Sequence, residues 1–129
     1  MDKKSKPFSP GERLKSFRHA FRGLAQLVRR EHNFRIHLVV TILVIAAGIL
    51  LHISAAEWLI ITITIGIVLV AEGLNSAVEQ LCDIVSPVED QRIKNIKDIL
   101  AAAVLISAVI AVIIGLIIFL PDILVLILQ

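Results

Sequence analysis

Three long apolar runs decide what this chain can fold into. They cover residues 36–56, 58–82 and 99–120 of the 129 residues, and His37 and His52 are the strongly polar interruptions in the first run. Each run is long enough to cross a hydrocarbon core of about 30 Å as an α-helix. We therefore predict an all-α membrane protein in which residues 1–129 form a single domain with three transmembrane helices.

The composition supports a membrane location. Hydrophobic residues make up 57% of the chain and charged residues 19%. Soluble domains are about 45–50% apolar and about 25% charged, so these values exclude a water-soluble enzyme. A cleaved signal peptide is the alternative for the first run, but the charged region before it is far longer than the n-region of an ordinary signal.

The charges indicate how the chain is oriented. Residues 1–35 contain ten Lys and Arg against three acids, whereas the remainder contains three against eight. The connection after the first run, residues 53–57, has no Lys or Arg, whereas the one after the second, residues 83–98, has Arg92, Lys94 and Lys97. The positive-inside rule then predicts a cytoplasmic N-terminus. Because the basic segment leads directly into an apolar run, nucleic-acid binding is not expected.

The basic segment has a helical pattern of its own. Apolar residues recur at spacings of three and four, the period of one helix face, and the arginines fall largely elsewhere. We predict an amphipathic helix over residues 12–34, preceded by a flexible basic tail over residues 1–11. This helix would lie along the inner leaflet or pack onto other helices of the protein, and the two arrangements are compatible. Its apolar positions are Leu14, Phe17, Phe21, Leu24 and Val28.

A polar stripe inside the second apolar run is the most informative feature. Its residues lie within about 100° on one helix face. A charged side chain inside a span costs at least about 2.5 kcal/mol on insertion scales, so such groups usually face protein or water and have a function. The stripe consists of Glu72, Asn75, Ser76, Glu79 and Asp83.

The depth of the two glutamates separates their predicted roles. Counted from Trp58 at about 1.5 Å per residue, Glu72 lies roughly 21 Å into the membrane and Glu79 roughly 31 Å, at the cytoplasmic boundary. A submerged carboxylate suits the removal of a proton from a hydroxyl group. A carboxylate at the water boundary suits Mg²⁺, which prefers oxygen ligands and arrives with phosphates.

Other charged residues fall at the same level of the membrane. Glu31 and Arg35 precede the first run, and Lys97 and Asp98 precede the third. Glycine-rich nucleotide motifs are absent, so a bound nucleotide would need carboxylates and a metal. From these residues alone, a kinase, a small proton-coupled transporter with Glu72 as its proton site, and a non-enzymatic membrane subunit all remain open.

The motifs resemble those of the integral-membrane diacylglycerol kinase family of prokaryotes, which includes undecaprenol kinases. The resemblance covers residues 14–120 and rests chiefly on AEGLNSAVE at residues 71–79, with Asp83 and KD at 97–98 downstream. Upstream, AFRGL at 20–24 and EHNFR at 31–35 continue it. It departs from the family at Gly73, usually a larger aliphatic residue, and in the loop over residues 86–90.

The resemblance implies a lipid kinase of the bacterial inner membrane that transfers the γ-phosphate of MgATP to diacylglycerol or undecaprenol. By this resemblance Glu72 is the catalytic base and Asn75 its polar neighbour. Glu31 and Glu79 hold the magnesium ion and, with Glu89, Lys97 and Asp98, the nucleotide, while Arg35 and Asp83 support the site. The family forms homotrimers with active sites shared between subunits.

The third apolar run independently favours association. Ala103, Ser107, Ala111 and Gly115 recur every four residues, a spacing of small residues that lets helices approach closely. Three helices cannot enclose a nucleotide and a lipid by themselves. Cys82, the single cysteine, is expected to be a small packing residue.

Overall fold

The computed structural model describes residues 10–128, which form four α-helices and no strand. In chain order these are α1 (Pro10–Arg30), α2 (His32–Leu50), α3 (Ala55–Val85) and α4 (Gln91–Leu128). The all-α prediction is confirmed. A basic tail was predicted over residues 1–11. Residues 1–9 of it lie outside the described residues, and residues 10 and 11 belong to α1.

Three of the helices, α2, α3 and α4, are long and apolar enough to cross a membrane. At about 1.5 Å per residue, the 31 residues of α3 and the 38 of α4 extend over roughly 46 and 57 Å, more than the core thickness of about 30 Å. Both helices therefore continue beyond the apolar layer. As a result, the connection expected over residues 83–98 is mostly helical, and only residues 86–90 form a loop.

The end of α4 differs from the end of the third predicted span, which was placed at residue 120. The helix passes through Pro121 and continues to Leu128. A proline removes one backbone hydrogen bond, but transmembrane helices tolerate it where neighbouring groups satisfy the freed carbonyl. The segment after Asp122 is an extension of α4, the third of the helices that could span the membrane.

A tight turn joins α2 to α3. His52 N–H donates to the carbonyl of Ile49 at 3.3 Å, and Ile53 N–H donates to that of Gly48 at 3.2 Å, which is the pattern of a Schellman motif. His52 adopts φ of 53°, the left-handed conformation this motif requires. The turn ends α2 at Leu50, short of residue 56, where the predicted first span ends.

The same turn fixes the start of α3. Ser54 forms a capping box with Glu57: its side chain accepts from the Glu57 backbone N–H, and the Glu57 carboxylate accepts from the Ser54 N–H at 2.7 Å. The Trp58 ring packs on Gly48 of α2, and a Cβ atom at Gly48 would lie 2.9 Å from that ring. Close packing at this end sets the pairing of α2 with α3.

The two ends of the helix bundle differ in character. Beside the turn, Ile53, Ile61 and Ile118 form an apolar core. Towards the other end, buried polar side chains of α3 replace it. α3 packs most extensively on α4 and next on α2, so it is the central helix.

The apolar residues of α1 do not contribute to this core. Leu14, Phe17 and Phe21 are more than half exposed on the single chain, and α1 contacts α2 chiefly near their junction. α1 covers Pro10–Arg30, whereas the sequence analysis placed an amphipathic helix over residues 12–34. Its position along the inner leaflet stays a prediction.

Candidate active site

The polar stripe of α3 passes from buried to exposed along the helix. Glu72, Asn75 and Ser76 are only 2%, 7% and 1% exposed. Glu79, one helical turn further on, is half-buried, and Asp83 is exposed. Burial within the protein therefore decreases along the stripe from Glu72 to Asp83.

Three buried oxygen atoms of the stripe have no hydrogen-bond partner among the described residues: Glu72 Oε2, Asn75 Oδ1 and Ser76 Oγ. An unsatisfied buried polar atom costs about 1–3 kcal/mol, and native proteins contain few of them. Three within two helical turns form a concentrated group of unused acceptors. Such a group is suited to a ligand that brings its own hydroxyl donor.

Glu31 lies at the break between α1 and α2. Its backbone is extended, with φ of −95° and ψ of 113°, and its side chain does not cap α2. The Glu72 carboxylate lies close enough to those of Glu31 and Glu79 to be repelled by their negative charges. The structure therefore brings together the three carboxylates that the sequence analysis assigned to the base and to the magnesium ion.

Contacts between α1 and α3 hold the junction in place. Gln26 Nε2 donates to Gln80 Oε1 at 3.3 Å. Leu27 lies beside Gly73, where a Cβ atom would be 3.6 Å from Leu27 Cδ1, an ordinary van der Waals distance. An alanine would therefore fit at Gly73 in ordinary contact with Leu27.

Lys97 connects α4 to the stripe. Its Nζ donates to Asp83 Oδ1 at 2.6 Å, and it also interacts electrostatically with Glu79. Both members of the pair are partly exposed, so the bond adds little to stability. A lysine held near a carboxylate pair in this way is available to a phosphate group. Asp98, the next residue along α4, is exposed.

The loop between α3 and α4 borders a polar cavity of about 570 Å³, lined by residues 86–91 together with Asp83, Ile93, Lys94 and Lys97. Asp90 fixes the start of α4, because its Oδ1 accepts from Arg92 N–H at 2.8 Å. The Arg92 side chain also donates to Asp90 and lowers the pKa of that carboxyl to about 2. Glu89 is an exposed part of this cavity wall.

Arg35 and His37 differ from what the sequence suggested. The Arg35 guanidinium lies 3.4 Å from His32 Nδ1, a neighbour that the sequence analysis did not identify. His37 interacts electrostatically with Glu72 and was not predicted as a site residue. The sequence did contain an indication of this role, because His37 is one of two strongly polar residues in the first apolar run.

The carboxylates present suit a metal ion whose remaining ligands come from a phosphate group. Among residues 10–128, no three His, Cys, Asp or Glu side chains are grouped so that they could hold a metal ion by themselves. Mg²⁺ in kinases is commonly bound by one or two carboxylates and by substrate phosphates. Glu31 and Glu79 fit this mode of binding.

Comparison with known proteins agrees with these features. Residues 18–119 match the family described as prokaryotic diacylglycerol kinase. The chain is 42% identical over 108 residues to an undecaprenol kinase of Bacillus subtilis (strain 168), covering 84% of this chain and 88% of the relative. It is 38% identical over 112 residues to a diacylglycerol kinase of Synechocystis sp., covering 86% of this chain and 64% of that relative. The chain belongs to the prokaryotic diacylglycerol kinase family and is a lipid kinase.

Proposed function

We propose that this lipid kinase transfers the γ-phosphate of ATP to the hydroxyl group of a membrane lipid alcohol, giving phosphatidic acid from diacylglycerol or undecaprenyl phosphate from undecaprenol. The observation that carries the proposal is the group of partnerless buried oxygens of Glu72, Asn75 and Ser76 beside the exposed charges of the same helix. A lipid alcohol reaches such a site from the membrane, and a nucleotide reaches it from the cytoplasm.

The buried residues of α3 would act on the lipid. The Glu72 carboxylate accepts the hydroxyl proton while the lipid oxygen forms a bond to the γ-phosphorus and the bond between that phosphorus and the β,γ-bridging oxygen breaks, which releases ADP. Asn75 orients the hydroxyl, and Ser76 lies on the same face. Phosphoryl transfer depends mainly on such positioning and on neutralising charge.

The charged residues beyond the buried part of the stripe would hold the nucleotide. Glu31 and Glu79 would hold the magnesium ion, which would supply neutralisation of phosphate charge. Lys97 donates to phosphate oxygens once it exchanges its bond to Asp83 for them, while Arg35 and Asp83 support the site. Asp98 and Glu89 contribute further nucleotide contacts from α4 and from the loop cavity. A proton transporter would use Glu72 but would leave this surface group without a role.

The proposal includes the arrangement in the membrane. The N-terminus lies in the cytoplasm of the bacterial cell, with the arginines of α1 among lipid phosphates and its exposed apolar residues in the inner leaflet. The chain forms a homotrimer that shares active sites between subunits. The basic N-terminal segment supports this orientation, and the exposed surfaces of the single chain support association.

The decisive experiment replaces one carboxylate at a time and measures phosphorylation of each lipid with labelled ATP and magnesium. Glu72→Gln should abolish transfer to either lipid while the protein stays folded, because the amide cannot accept the proton. Glu79→Gln should mainly raise KM for MgATP. Glu57→Gln, the same change at the opposite end of α3, is the matched control and should retain activity. Near-normal turnover in Glu72→Gln would contradict the proposed role of Glu72.

A further inference from the structure

We propose that the buried hydroxyl of Ser76 donates a hydrogen bond to the oxygen atom of the lipid hydroxyl group, while Glu72 accepts the proton of the same group. The inference rests on the proposed function and adds a substrate-binding residue to it. Its consequence is that the site recognises an alcohol at two points, through its proton and through a lone pair of its oxygen.

Ser76 differs from the other serine and threonine residues inside the described helices. Each of the others donates its hydroxyl proton to a backbone carbonyl three or four residues earlier, at 2.7–3.1 Å, which is a common bond for these side chains in helices. These residues are Ser16, Thr41, Thr62, Thr64 and Ser107. The Ser76 hydroxyl makes no such bond although the residue is only 1% exposed. Its proton is therefore available to another group.

The position of Ser76 relates it to Glu72. Residues four apart in an α-helix are neighbours on its surface, with about 5–6 Å between their Cβ atoms, and the Cα–Cβ bond of Ser76 tilts towards the turn that carries Glu72. Glu72 Oε2 is also buried without a partner, so the two oxygens do not bond to each other. A group that donates to the carboxylate and accepts from the serine would satisfy both.

A lipid hydroxyl group has this combination of donor and acceptor. It carries one proton and two lone pairs, whereas a carboxylate only accepts hydrogen bonds. When the proton is shared with Glu72 Oε2, one lone pair of the lipid oxygen attacks the γ-phosphorus, and the other accepts from Ser76. Asn75 Oδ1, the third buried oxygen without a partner, cannot donate this bond, because a carbonyl oxygen only accepts. Ser76 keeps its own proton throughout, so the proposed base remains Glu72.

The main test removes the hydroxyl with Ser76→Ala. Loss of one neutral hydrogen bond to the substrate should lower kcat/KM for dioleoylglycerol and for undecaprenol about fivefold to tenfold. The loss should appear as a higher KM for the lipid, because the bond forms before transfer and is kept during it. KM for MgATP should be unchanged. Ser107→Ala, the matched control, removes a buried hydroxyl that is bonded within α4, and it should keep wild-type values.

A binding measurement separates recognition of the hydroxyl group from a packing role of Ser76. Propane-1,2-diol dioleate has the two acyl chains of dioleoylglycerol but no hydroxyl group. Dioleoylglycerol should bind to Ser76→Ala about fivefold to tenfold more weakly than to the wild type. Propane-1,2-diol dioleate should bind to both proteins equally. Equal weakening for the two lipids would show that Ser76 only packs, and a raised KM for MgATP alone would place its bond on the nucleotide; either result overturns the inference.

The two measurements also distinguish this inference from the proposed function. If the wild type phosphorylates either lipid and Ser76→Ala has the same kcat/KM and lipid affinity, the function stands and the inference is wrong. If the wild type phosphorylates neither lipid, but the binding of dioleoylglycerol alone depends on Ser76, recognition of the hydroxyl group stands and the proposed function is wrong. Alanine introduces no larger group, so the variant should fold, and its melting temperature in detergent checks this.

Discussion

At the scale of single residues, the buried stripe of α3 is a stability cost that function explains. Ser76 Oγ is buried without a partner, whereas Ser107 Oγ donates to the Val104 carbonyl at 2.7 Å. Removing an unsatisfied hydroxyl releases its desolvation cost, so Ser76→Ala should stabilise the substrate-free protein by about 1 kcal/mol. Ser107→Ala, the matched control, should bring no gain. Thermal unfolding in detergent measures both, and a lower melting temperature for Ser76→Ala would contradict the absence of a partner.

Asp90 provides a prediction about pH. Hydrogen bonds from Arg92 lower the pKa of Asp90 from 3.8 to about 2, so the folded state favours the charged carboxylate. The resulting stabilisation is complete above the ordinary pKa of 3.8 and is lost as the pH falls through about 2. NMR titration of the Asp90 carboxyl should show a midpoint near 2 in the wild type. The midpoint should be higher in Arg92→Gln but stay below the ordinary value, because the backbone N–H of residue 92 still donates to Asp90 Oδ1. An unchanged midpoint in Arg92→Gln would rule out the Arg92 side chain as a cause.

At the scale of elements, the turn between α2 and α3 sets the position of the central helix. A Cβ atom at Gly48 would lie 2.9 Å from the Trp58 ring and 3.0 Å from Ile53 Cδ1, whereas nothing lies within 4 Å of one at Gly66. Gly48→Ala should therefore destabilise the protein by about 1–3 kcal/mol through overpacking. Gly66→Ala should be neutral or slightly stabilising, because alanine favours helix. Unfolding in detergent compares the two variants, and equal stabilities would mean that the Trp58 ring moves aside at no cost.

The elements also show what sequence reasoning can reach. Apolar length was sufficient to predict three helices that could span a membrane, and 100° per residue placed Glu72 and Glu79 on one face of the second. The spacing of apolar residues does not predict a single extended residue such as Glu31 between two helices. The contact of Arg35 with His32 was therefore not predicted. The continuation of α4 through Pro121 was missed because a proline is read as a helix end, although a membrane environment tolerates it.

At the scale of the molecule, the positions of residues along the chain cannot reveal which helices meet. The bond between Gln26 and Gln80 and the proximity of His37 to Glu72 depend on how separate helices pack. The proximity of Lys97 to Asp83 likewise follows from the short loop between two long helices, where the sequence analysis had placed a longer connection. The residue types that share one helix face are therefore easier to predict from sequence than the contacts between helices that position those residues.

The proposed sharing of active sites between subunits leads to a prediction for mixed oligomers. On the single chain, Lys97 binds Asp83 at the exposed end of α3, and most of the apolar surface of α4 is uncovered. If α4 of one subunit supplies Lys97 to Glu72 of another, Glu72→Gln and Lys97→Gln chains should each be inactive alone but should regain activity when co-expressed. Tandem purification through two different tags isolates the mixed species for the phosphorylation assay. If each site is built from one chain, no mixture contains an intact site, and activity would stay at the level of the separate variants.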